Sequence, residues 1–161
     1  MTNFKIEFYL RLILIISLVS IISAYFIEYV LGHQPCNLCL IERIPYAFSI
    51  ILITLNYLFK KNEKFIILLL ILTFSFSFAI SVYHLGIEQG IFEESAVCGL
   101  KNMTGIISKE EILKQLQEKT VSCKDVTFRI FGLSLTSINI LLSLILIALL
   151  TKIYISYEKN K

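Results

Sequence analysis

Tryptophan is absent from this 161-residue chain, proline occurs only twice, and charged residues make up only 17%. The shortage of charge excludes an ordinary soluble domain, because hydrophobic residues reach 57% and mean hydropathy is +0.79. A net charge of +3 is too small to argue for a nucleic-acid partner. There is no haem-attachment, flavin or nucleotide-binding motif, no internal repeat, no low-complexity tract and no linker marking off a second domain. Asp, Glu, Lys and Arg are missing altogether from four stretches: Leu12–Ile27, Ile44–Phe59, Phe65–Ile87 and Ile130–Thr151.

About 20 apolar residues in a helix cross a bilayer core of about 30 Å. The last two stretches are long enough alone. The first two hold 16 residues each, roughly 24 Å at helical rise, so they extend past Arg11 and back towards Leu40. The expectation is an all-α, polytopic bundle of four transmembrane helices forming one membrane domain over residues 1–161. Its helices are placed at about 9–30, 41–59, 65–87 and 130–153, with outer loops at about 31–43 and 88–129. The first apolar run is long for a signal peptide, and no small-x-small cleavage site follows it before Cys36. It is therefore read as a retained helix.

Basic residues set the orientation. Lys5 and Arg11 precede the first helix, Lys60, Lys61 and Lys64 crowd the loop between the second and third, and Lys152, Lys159 and Lys161 follow the fourth. The loop between the first two helices has only Arg43, and Glu88–Arg129 balances six basic residues against seven acids. The positive-inside rule then puts both termini and the 60–64 loop in the cytoplasm.

What the chain does contain is four cysteines, all outside the apolar stretches: Cys36 and Cys39 as Cys-Asn-Leu-Cys, then Cys98 and Cys123. Orientation puts all four on the opposite, oxidising side, where disulfides persist. Thiols two residues apart close a small reactive ring suited to disulfide exchange. A metal site is the alternative, but zinc wants a second close pair or nearby histidines. Here the other cysteines lie 59 and 84 residues beyond Cys39, and only His33 is near. Cys98 and Cys123 are left as the second pair. Closing their loop of about 26 residues would constrain the unfolded chain by roughly 3–4 kcal/mol. That pair is thus either a structural staple or, in an exposed loop, a readily exchanged bridge.

Pro35 and Pro45 bracket the Cys36–Cys39 segment, and each disfavours helix at the residue before it. Gln34 to Ile44 therefore reads as a tight turn, with the second helix starting near its end. In the long loop, Ser108 caps and Glu111 completes a capping box, opening a helix whose apolar stripe is Ile112, Leu113 and Leu116. It either lies in the membrane interface or packs on its own loop.

A dithiol oxidised at the outer face must pass two electrons on, and without a cofactor motif the acceptor must come from the membrane. Arg43, about one helical turn after Cys39, could stabilise a thiolate there and hydrogen-bond a quinone carbonyl. The bland alternative is an arginine that snorkels to the headgroups; taken alone, that alternative would win.

The run Gln34-Pro35-Cys36-Asn37-Leu38-Cys39-Leu40-Ile41-Glu42-Arg43-Ile44-Pro45-Tyr46 closely resembles the Pro-Cys-x-x-Cys-x-x-x-Arg signature of the DsbB family, the membrane disulfide-bond formation proteins. Tyr83-His84, Cys98, Cys123, Phe131-Gly132-Leu133-Ser134-Leu135 and Asn139 extend the resemblance over about Tyr25 to Leu142. It implies a membrane thiol:quinone oxidoreductase of the bacterial inner membrane, using ubiquinone or menaquinone. Its partner would be a soluble periplasmic thioredoxin-fold oxidase of the DsbA kind. Residue by residue, it implies that Cys98 forms the mixed disulfide with that partner and that Cys123 is bridged to Cys98. Cys36 would exchange with the loop pair, and Cys39 would be the thiolate at the quinone. Arg43 and His84 would be quinone-site residues. Glu42 reads as an interfacial charge or the ion-pair partner of Arg43. Tryptophan is missing, and Asn37-Leu38 is one of many fillers between such cysteines.

Two rivals stand beside this reading. A quinone reductase of the vitamin K epoxide reductase type would be favoured by a fused thioredoxin domain or a fifth helix, and these 161 residues show neither. A non-enzymatic membrane protein with two structural disulfides would need no quinone at all. A transport variant would want charge inside the bundle, and the four apolar spans offer only neutral polar groups.

Overall fold

A computed structural model describes residues 3–58, 63–93, 98, 122–124, 128–130 and 132–159. Four helices cross most of it: α1 Asn3–Tyr29, α2 Asn37–Leu58, α3 Glu63–Glu88 and α4 Leu135–Lys159. A two-residue hairpin, β1 Arg129–Ile130 and β2 Leu133–Ser134, precedes α4. All four helices are long and apolar enough to span a membrane. In hydrocarbon every backbone N–H and C=O must be satisfied by the protein itself, and a helix does this within one segment, which suits continuous apolar runs of this length. The four-helix membrane fold read from the sequence is therefore the fold found. The expected interfacial helix at 108–117 lies outside the described residues, as do Lys60 and Lys61.

The helices pack in chain order. Contact is most extensive between α3 and α4, substantial between α2 and α3 and between α1 and α2, and slight between α1 and α4. The core is apolar, with Ile13, Ile53, Ile67, Leu70, Phe74 and Leu146 fully buried. Small hydroxyls let helices approach closely: Ser49 donates to Ser17 at 2.8 Å, and Ser143 to Ser77 at 3.3 Å. Large apolar side chains such as Ile22, Phe26, Ile51, Leu72, Phe76 and Ile145 remain exposed on the lateral surface. On a soluble protein they would be a liability; in a bilayer they are the lipid-facing surface.

Helix ends depart from the sequence expectation, each for a local reason. α1 begins at Asn3, and Ile6 and Leu10 are buried against the other helices. Past its end, Leu31 N–H reaches back to Phe26 C=O and His33 N–H to Ile27 C=O, both at 3.2 Å, and Gly32 supplies the left-handed residue at φ +74°. α2 begins at Asn37, well before the turn predicted for 34–44 ends, and Pro45 lies inside it. Cys36 is its N-cap, its sulfur accepting the backbone N–H of Cys39 at 3.2 Å. A transmembrane helix tolerates an interior proline where neighbours re-satisfy the freed backbone. α4 starts at Leu135, five residues later than expected. Gly132 at φ +83° turns the hairpin, and Ser134 then caps the helix through Ser137 N–H at 3.2 Å.

Candidate redox site

The C-terminal end of α1, the N-terminal end of α2, the C-terminal end of α3 and the N-terminal end of α4 share one end of the bundle. All four cysteines gather there. Cys36 and Cys39, one turn apart at the start of α2, bring their sulfurs to 2.7 Å. Cys98 and Cys123 are joined by a disulfide with Cα atoms 5.5 Å apart. Both bridged cysteines are buried in one cluster with Cys36, Leu38 and Ile87. Cysteines 59 and 84 residues beyond Cys39 in sequence therefore pack beside the Cys-x-x-Cys turn.

Cys36 and Cys39 face different neighbours. Cys36 is buried against α3, its sulfur 3.5 Å from His84 Nε2. Cys39 lines a cavity of about 330 Å³ on the side where α1 and α4 scarcely touch. The Cys36 thiol is lowered from the ordinary cysteine range to about 5. The hydrogen bond from the Cys39 thiol is the main cause, followed by the His84 contact and the Cys39 backbone N–H, and burial opposes them.

Cys36, Cys39 and His84 offer three ligand atoms within 4.8 Å of one another. Two thiolates on one tetrahedral zinc, at about 2.3 Å each, would sit roughly 3.8 Å apart. At 2.7 Å these sulfurs are placed for each other and not for an ion.

The cavity has walls from α1 (Val19, Ser23, Ile27) and α4 (Leu135, Ile138, Leu142), and polar groups from Cys39, Glu42, Arg43 and Asn139. Arg43 Nη1 donates to Glu28 Oε2 at 2.5 Å, and its guanidinium lies 5.1 Å from the centre of the Tyr25 ring. Glu42 is not its partner, correcting the sequence reading: successive helical residues point roughly 100° apart. Glu42 turns inward instead and is only 8% exposed. Its Oε1 meets His84 Nδ1 at 2.9 Å, and its Oε2 accepts from Asn139 Nδ2 at 3.1 Å. Asn139 also donates to Ser81 at 2.7 Å and accepts from the Tyr46 hydroxyl. Thr136 joins the network, its Oγ1 3.2 Å from His84 Nδ1 and donating to Glu88 Oε1 at 2.5 Å.

The structure thus brings Cys36, Cys39, Cys98, Cys123, Arg43 and His84 to one end of the bundle. Arg43 and Cys39 line the cavity; His84 does not, and stands behind it against Cys36 and Glu42. Sequence reasoning missed Tyr25, Glu28, Glu88 and Thr136. Glu28 and Glu88 were the visible clue, since each is an acid at the very end of an apolar span, where a solvated partner is not assured.

The cavity walls are largely apolar, the volume is in the range of small-ligand sites, and a thiol and a guanidinium converge from one helix. The family described as "Disulfide bond formation protein DsbB" matches residues 7–153. An uncharacterized protein, RP370, of Rickettsia prowazekii (strain Madrid E) is 31% identical over 155 residues, covering 94% of this chain and 90% of its own. No solved structure matches significantly.

Proposed function

Because this chain belongs to the DsbB family of disulfide bond formation proteins, we propose that it is a membrane thiol:quinone oxidoreductase. It reoxidises a soluble thioredoxin-fold thiol oxidase of the DsbA type and passes the electrons to ubiquinone or menaquinone. In this reading the protein sits in a bacterial inner membrane, with both termini cytoplasmic and all four cysteines periplasmic. One observation carries the proposal: Cys39 and Arg43 line one cavity, while Cys36, a turn away, packs beside the Cys98–Cys123 bridge. A Cys-x-x-Cys turn so sited can receive electrons on one side and release them on the other.

The partner's thiolate attacks Cys98, releasing Cys123. Cys123 then attacks Cys36 of the Cys36–Cys39 bridge, and Cys39 leaves as a thiolate facing the cavity. While Cys36 is engaged with Cys123, its sulfur no longer takes the Cys39 proton, so the free thiolate belongs to Cys39. Arg43 lines the same cavity and is held by Glu28 and Tyr25. There it can direct its fork at a carbonyl oxygen and balance negative charge. A quinone bound in the cavity would supply a two-electron acceptor. The partner's second thiolate then displaces Cys98 and the partner leaves oxidised; Cys98 takes Cys123 back from Cys36, and the freed Cys36 closes on Cys39 as two electrons pass to the acceptor that the cavity would hold, which restores both bridges.

The test is turnover of purified protein given a reduced thioredoxin-fold dithiol protein and a short-chain quinone, followed by quinone absorbance. Cys123→Ser should stop turnover and accumulate a mixed disulfide through Cys98, whereas Cys98→Ser should trap none with that partner. Full activity in both variants would reduce the loop bridge to a staple and overturn the relay.

A further inference from the structure

Cys36 has a set of neighbours that thiol–disulfide exchange alone does not require. Its sulfur faces His84 Nε2 at 3.5 Å, and the other ring nitrogen of His84 is 2.9 Å from the buried carboxylate of Glu42. Nucleophile, imidazole and orienting carboxylate come from two pieces of chain: α2 with its cap, and α3. Such a sequence is the general arrangement by which a base takes a proton from a thiol and a third group fixes its tautomer. Here the third group does not end in bulk solvent. Glu42 lines the same cavity as Cys39, next to Asn139.

We propose that His84 and Glu42 form an internal proton relay, in which His84 takes the proton of the Cys36 thiol and Glu42 conveys it to the cavity. His84 is then a catalytic base touching a reacting sulfur, and Glu42 is the group that orients it and passes the proton on. The electron acceptor and the destination of the proton rest on the cavity being a quinone site; the base role of His84 does not. Closing the Cys36–Cys39 bridge breaks two S–H bonds and forms one S–S bond, and the two thiols are oxidised by two electrons. Those electrons leave through Cys39, on the cavity side, to the quinone as acceptor. The Cys39 proton leaves directly into the cavity that this residue lines. The Cys36 proton moves to His84 Nε2, from Nδ1 to Glu42 Oε1, and from that carboxyl group to the cavity. Two electrons and two protons arrive together, which is the full requirement for reducing a quinone to a quinol.

The charged and titratable groups around His84 agree with this direction. Cys36 faces it from the cap and Glu42 from α2. From its own helix, Glu88 Oε1 lies 3.8 Å from Nε2. From α4 come only neutral groups, Thr136 directly and Asn139 through Glu42. Arg43 is turned to Glu28. Among the described residues, then, two carboxylates and one thiol share the ring, and no cation competes for it. Thr136, bonded to Glu88, offers a side branch towards the outer loop, so Glu88→Gln should have the smaller effect.

The decisive readout needs no quinone. Fully reduced protein is alkylated with iodoacetamide across a pH series, and modification of Cys36 is followed by mass. In Glu42→Gln, which keeps the side-chain shape and can still accept from Nδ1, the midpoint of Cys36 alkylation should rise by about one to three pH units. His84→Gln should shift it in the same direction. In parallel, single-turnover oxidation by a short-chain quinone should be nearly independent of pH near neutrality in the parent protein. It should become dependent on pH in Glu42→Gln, by up to about tenfold per unit at saturating quinone. Unmoved alkylation midpoints in both variants would overturn the relay. A moved midpoint with an unchanged pH profile of oxidation would overturn delivery to the cavity. If midpoints move but the parent protein does not reduce quinone at all, the base role of His84 stands and the quinone reading falls.

Discussion

The two ends of this bundle are built on opposite principles. At one end Ile6, Leu10, Ile13, Ile53, Ile67, Leu150 and Ile153 interlock in a nearly dry apolar core. At the other, His84, Glu42, Thr136 and Ser81 are buried and, with the half-buried Asn139, bonded to one another around the cysteines. Buried polar groups in low dielectric are costly unless fully satisfied. The cysteine end accepts that cost with a connected network, which fixes side chains in one arrangement. The apolar end needs only volume and shape. One end therefore holds the fold in the membrane, and the other holds chemistry in place.

Substituting Cys39 breaks this comparison most sharply. Cys39→Ser keeps nearly the same shape, so thermal unfolding in detergent should be unchanged, while quinone-linked turnover should fall to background. A large loss of thermal stability in that variant would mean that the cysteine end is itself structural. A smaller effect is expected at Arg43. Arg43→Lys keeps the charge but not the planar fork, and losing a charge-assisted hydrogen bond costs about 1.5–3 kcal/mol. Apparent KM for quinone should rise about ten- to hundredfold, with exchange against the soluble partner near normal. Glu28→Gln leaves Arg43 its Tyr25 contact and removes a partly exposed ion pair worth about 1 kcal/mol or less. It should raise KM several-fold at most. Unchanged KM in Arg43→Lys and also in Arg43→Ala would remove Arg43 from the site.

The smallest effect belongs to the apolar end. Asn56 is buried there, and its Oδ1 has no hydrogen-bond partner among the described residues. Asn56→Leu should leave turnover unchanged and be neutral or stabilising by up to about 1 kcal/mol, read as an unchanged or higher melting temperature. A loss of activity would show that this end, too, takes part in the chemistry.

The sequence by itself determined the four helices, because a bilayer leaves a long uncharged run no other way to satisfy its backbone. It also marked Cys36, Cys39 and Arg43, whose spacing on one short segment is local and needs no folding to be seen. Boundaries were less legible. The start of α2 was hidden because Pro45 reads as disfavouring helix just before it, while the actual cap is a cysteine sulfur well upstream. Only the tertiary structure decided which way the functional residues face. Glu42 and Arg43 are adjacent in the chain, yet one turns to His84 on α3 and the other to Glu28 on α1. Likewise Cys36 and Cys39 divide between the loop bridge and the cavity. Spacing along a helix sets the angle between two side chains. What stands at each angle depends on which helices pack alongside, and in this bundle that is a matter of long-range contact between segments up to 97 residues apart.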